Sequence, residues 1–205
     1  MGSLRRHAGG FASILLLAAA CAGGRGAAER AIAQADSAVA AVEPEASQVA
    51  PDQLKTLQDA VASARASLEA NDYEAAVAAV QDVPARAQEL AGQLPAKRAE
   101  LTASWDTLSG AMARNLDSVE ARLDRAGRTR RYPPGLNAQA VDSLKQVIAT
   151  ARQEWAEAET MSGSGNLAQA LAKGLEIKGR VSQVMVAVGM VADDRAWGNV
   201  RVITP

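Results

Sequence analysis

Residues 101–123 read LTASWDTLSGAMARNLDSVEARL, with apolar side chains at Leu101, Trp105, Leu108, Met112, Leu116, Val119 and Leu123. Steps of three and four place all seven on one narrow stripe of an α-helix, the seam by which helices pack against one another. The same steps recur outward from this stretch. Ile32, Ala35, Val39 and Val42 predict a first helix ending near Pro44, and Leu54, Leu57, Val61, Ala64 and Leu68 a second opened by Pro51-Asp52. Tyr73, Ala76, Val80, Val83, Ala87, Leu90 and Leu94 predict a third, with Asp72 as N-cap and a bend at Pro84. Pro95 is expected to restart the chain as a fourth helix that runs to about Ala126 and stops at Gly127. Arg128 to Gly135 (RTRRYPPG) must be a loop, since Pro133-Pro134 cannot sit inside a helix.

A fifth helix, N-capped by Asn137, carries Val141, Leu144, Ile148, Ala151, Trp155 and Ala158. After a Ser-Gly-Ser-Gly turn at 162–165, a sixth carries Leu167, Ala170, Gly174, Ile177, Val181, Val184 and Val188 to about Val191. Composition agrees. Ala fills 47 of 205 positions and aromatics 3%, which favours helices over strands. The expected fold is all-α, an elongated bundle of about six helices with coiled-coil-like seams.

The chain also repeats itself. VASAR at 61–65 matches IATAR at 148–152, and NDYEAAVA at 71–78 matches GNLAQALA at 165–172, with seven extra residues in the second copy between the matched segments. Seven residues are two helical turns, so the seam keeps its register. The reading is a duplicated three-helix unit: residues 29–94, then 95–192, then an irregular C-terminal tail at 193–205 that carries Trp197.

The first twenty residues have the three parts of an export signal: Arg5 and Arg6, an apolar run from Phe11, and small residues Ala18 to Ala20. The run is too short for a spanning helix, which needs about 20 apolar residues. Leu17 to Cys21 (LAAAC) resembles the lipobox of bacterial lipoproteins, with Ala18 where that family prefers Leu. The resemblance implies cleavage before Cys21 and lipidation of Cys21 (a diacylglyceryl thioether and an acylated amine, palmitate-type chains), which would hold the protein on a membrane. Ala22 after the cysteine implies sorting to the outer membrane, facing the periplasm, in a Gram-negative cell. Residues 21–28 then read as a short flexible tether. Asn71 to Ala79 resembles the second half of a tetratricopeptide-type hairpin over nine residues. More broadly the chain resembles Ala-rich helical lipoproteins of bacteria, which implies fold and envelope location but no chemistry.

Beyond the signal there is no His, and Cys21 is the only thiol. That excludes His-dependent triads, a free cysteine nucleophile and Cys/His zinc sites, and no phosphate-binding glycine motif is present. Without Arg5 and Arg6, 20 basic face 23 acidic residues, which argues against a nucleic-acid-binding surface. No cofactor or metal site is expected, and the chain reads as non-enzymatic. The one local charge excess is Arg122, Arg125, Arg128, Arg130 and Arg131. Cations at a helix C-terminus are favoured by its dipole; the functional reading is that Arg128, Arg130, Arg131 and Tyr132 contact an anion or partner. Trp105 and Trp155 fall on seams as core residues, or would line an apolar groove. The expectation is an envelope scaffold or interaction module, held at the membrane by acyl chains on Cys21 and meeting an envelope protein partner. The alternative is a carrier or chaperone that takes an apolar ligand or peptide in an inter-helix groove at Trp105 and Trp155.

Overall fold

The structure, a computed structural model, describes residues 14–198, with side chains described from Gly24 onward. The signal segment falls largely outside these residues, as do the side chain of Cys21 and the end of the tail beyond 198. Six helices and no strands make up the described residues: α1 (Ile14–Val49), α2 (Pro51–Glu69), α3 (Tyr73–Val80), α4 (Val83–Thr129), α5 (Ala138–Gly163) and α6 (Leu167–Ala187). The all-α expectation is met.

The seams are the core. Leu101, Trp105, Leu108, Met112, Leu116, Val119 and Leu123 are all buried, as are Ile32, Ala35, Val39 and Val42 of α1. The caps form as well. Asp72 Oδ1 accepts from the Ala75 N–H at 3.0 Å and Asn137 Oδ1 from the Ala140 N–H at 2.8 Å, each satisfying an amide that helix geometry leaves without a partner.

Two helix ends shift slightly, α4 running past Gly127 to Thr129 and α6 stopping at Ala187, short of Val191. Four larger differences from the sequence reading each have a physical reason. The segment expected to be a flexible tether belongs to α1, because Ala28 is fully buried and continues the Ile32 seam, and Arg25 pairs with Glu29 one turn on. That helix does not end at Pro44, since Ala46 and Val49 prolong the same buried stripe. The third helix does not bend at Pro84; it stops at Val80, and Pro84 sits in the first turn of α4, where a missing N–H costs nothing. Pro95 is inside α4, flanked by buried Leu94 and Leu101 on one seam. One lost backbone bond does not outweigh a continuous buried stripe.

The chain divides into two compact units, each built from a long helix, a second helix and a hairpin turn. One takes the described residues up to Pro44 with Gln53–Ala91; the other takes Glu45–Asp52 and the chain from Gly92 on. The sequence repeat reappears within them as repeated bonding. In the first, the Asn71 N–H donates to Leu68 O and the Asp72 N–H to Ser67 O; in the second, the Gly165 N–H donates to Ser162 O and the Asn166 N–H to Met161 O. Asn71 and Gly165 both have positive φ (60° and 88°), so both turns are the same left-handed helix stop. The matched arginines also do the same work: Arg65 pairs with Asp36 of α1 at 2.6 Å, and Arg152 pairs with Asp117 and Glu120 of α4 at 2.8 Å.

The second unit's core centres on two indoles. Trp105 of α4 and Trp155 of α5 stack with centroids 5.0 Å apart and planes 11° from parallel, and Trp155 Nε1–H donates to Glu159 at 2.9 Å. At 8% and 5% exposure both are core residues that fill the space between helices, the first of the two roles their seam positions allow. Arg180 to Glu154 and Lys173 to Glu157 tie α6 to α5 outside this core.

Candidate functional site

The C-terminal third of α4 presents Ser118, Ala121, Arg122, Arg125, Ala126 and Thr129 at alternating steps of three and one, which puts them on one helix face. Ser118 and the two alanines are short, so this face is a trough with arginines standing in it. After Thr129 the chain reverses through Arg130, whose φ of 53° is one that side-chain-bearing residues seldom adopt. The reversal brings Arg131, Tyr132 and Pro133 to the same face. The third wall comes from beyond α6, where Gly189 (φ 71°) stops the helix by the same bond pattern as Asn71 and Gly165, its N–H donating to Val186 O and that of Met190 to Met185 O. Met190 thereby completes a cleft of about 620 Å³.

One bond fixes this assembly. Arg122 Nε–H donates to the Val188 carbonyl at 2.5 Å, which ties α4 to a carbonyl at the end of α6. Beyond that bond, the three cleft guanidiniums of Arg122, Arg125 and Arg131 form no salt bridge with a carboxylate among the described residues. Their neighbours on α4 are paired: Asp124 with Lys145 at 2.7 Å, and Asp117 and Glu120 with Arg152. A helix C-terminus supplies about half an elementary negative charge, against three full positive charges here, so the dipole offsets only a fraction of them. The remainder is an electropositive cleft with a phenol at its edge.

Of the residues singled out from sequence, Arg131 and Tyr132 line the cleft; Arg128 and Arg130 do not and stand exposed in solvent. Arg128 acts instead on Asp124, whose carboxyl is held below its ordinary value chiefly by the hydrogen bond from Lys145, with Arg128 adding a smaller attraction. Arg122 and Arg125 take the places expected of Arg128 and Arg130, because helical spacing and not sequence adjacency decides which arginines share a face. Met190 carried no sequence signal for this cleft. Trp197 of the C-terminal tail is fully buried, with Lys178 Nζ 5.8 Å from its ring centroid and Asn115 Nδ2–H donating to the adjoining Ala196 carbonyl at 2.9 Å.

Among the described residues no three His, Cys, Asp or Glu side chains gather as a metal-ligating group, and no helix is long and apolar enough to cross a membrane. No protein-family model matches the chain, and neither does any curated protein or solved structure.

Proposed function

We propose that this chain is a lipid-anchored envelope protein, a non-enzymatic helical interaction module whose contact site is the cleft of Arg122, Arg125, Arg131 and Tyr132. The observation that carries the reading is the convergence of three guanidiniums, unbridged by carboxylates, from two separate segments onto one concave surface. Arginine is always charged and offers a planar fork of donors that fits carboxylate or phosphate oxygens two at a time. A surface of that kind binds anionic groups. Its lining contains no His, Cys, Asp or Glu. The anchor is supported by the position of Cys21 directly behind an export-type segment.

Two measurements test the reading together. Labelling cells with a fatty-acid analogue should mark the wild type and not Cys21→Ser; equal labelling removes the anchor. Crosslinking in the native envelope should yield adducts that fade in the Arg125→Ser/Arg131→Ser variant. Adducts of equal strength from wild type and variant remove the cleft as the contact site.

A further inference from the structure

We infer that the cleft is a binding site for the phosphate headgroup of an anionic phospholipid, so that the protein touches a membrane surface through its folded body as well as through Cys21. The inference rests on the anion-binding reading above and names its ligand.

The charge is the first reason. Arg122 spends its Nε–H on Val188 and keeps its two terminal amino groups, and neither Arg125 nor Arg131 is salt-bridged among the described residues. Phosphate oxygens, tetrahedral and multiply accepting, can take forks from more than one guanidinium at once. The second reason is independent of charge. Among the described residues the exposed large aliphatic side chains are Val147, Val186 at 64% and Val191 at 70%. Two of these three bracket the turn that places Met190 in the cleft wall. Neither valine lines the cleft itself; both stand on the short segment whose Met190 does. A water-soluble phosphate compound gains nothing from exposed valines on that segment. A phospholipid does, because its headgroup and glycerol lie directly above acyl chains in which aliphatic side chains are at home. Tyr132, half-buried at the cleft edge, has the mixed character of side chains that settle at that boundary. Basic residues and apolar residues side by side are what an anionic lipid surface selects.

Co-sedimentation with vesicles tests this on the full chain carrying Cys21→Ser, which removes the acyl anchor and leaves residues 1–20 the same in every variant compared. Vesicles of phosphatidylglycerol mixed into phosphatidylcholine are expected to bind it, and pure phosphatidylcholine far less. Arg125→Ser/Arg131→Ser, which spares the Arg122–Val188 bond, should weaken binding to the mixed vesicles about thirtyfold, as two cations leaving a charged surface imply. Val186→Ser/Val191→Ser should weaken it about fivefold with the arginines intact. Near-native circular dichroism and unfolding midpoints in both variants establish that the fold is retained. Equal binding by wild type and the arginine variant overturns the inference. So does displacement by millimolar inorganic phosphate with no effect of the valine changes, which identifies a free phosphate compound as the ligand. Arginine-dependent crosslinks to an envelope protein without vesicle binding also overturn it, while the anion-binding reading stands.

Discussion

Gly174 of α6 faces Leu108 of α4 so closely that a Cβ on the glycine would stand 2.8 Å from Leu108 Cδ2, with Trp155 Cζ3 at 3.0 Å. A glycine inside a helix ordinarily weakens it by up to about 1 kcal/mol relative to alanine. Here the missing methyl makes room for the stacked indoles. Gly174→Ala should therefore destabilise the protein by about 1–2 kcal/mol, the cost of overpacking exceeding the gain in helix propensity. Gly179→Ala, on the same helix with nothing within 4 Å of its Cβ position, should stabilise by up to about 1 kcal/mol. Urea unfolding of the two variants reads the contrast; equal shifts would contradict this packing.

Trp197 is fully buried, and its Nε1–H has no partner among the described residues. Its ring gains from burial while its N–H loses a hydrogen bond to water. Trp197→Phe removes the orphaned donor and keeps an aromatic ring beneath Lys178, so its unfolding midpoint should stay near that of the wild type. Trp197→Ala should cost about 3–5 kcal/mol through the cavity left behind. Should the two variants be equally unstable, the ring's packing is not what holds the segment.

The caps allow a direct comparison. Asp72→Ala and Asn137→Ala should each cost about 1 kcal/mol, because each deletes an acceptor from a helix N-terminus. Asn166 opens α6 but makes no side-chain bond to a helix amide. Asn166→Ala should cost only a few tenths of a kcal/mol, since no capping bond is lost.

Lys145 holds the Asp124 carboxyl below its ordinary value of 3.8, first by a hydrogen bond and then by charge attraction. A depressed carboxyl contributes stability that is full above the ordinary value and disappears as pH falls through the depressed one. The α4–α5 link should therefore persist through mild acid and open only at strongly acidic pH. Nuclear magnetic resonance titration of Asp124 should show a midpoint below 3.8, rising toward it in Lys145→Met. An unchanged midpoint in that variant would assign the shift elsewhere.

Residue order alone makes legible that the chain is helical, which side chains are buried on α4, where Asp72 and Asn137 cap, and that two turns repeat. These follow from spacing and from local bonds within a few residues, and both operate before any long-range contact forms. Tertiary structure decided whether prolines end helices. Pro44 and Pro95 look like stops when only the lost backbone bond is counted, yet the buried stripe on either side carries each helix through. It also decided the cleft. Arg122 and Arg125 meet Arg131 because a reversal at Arg130 folds the chain back, and Met190 joins them from more than fifty residues away. A run of arginines in sequence shows only that charge is concentrated. Which of them face the same way is settled by the helix turn and by the opposite wall, and that wall exists only once α6 has packed.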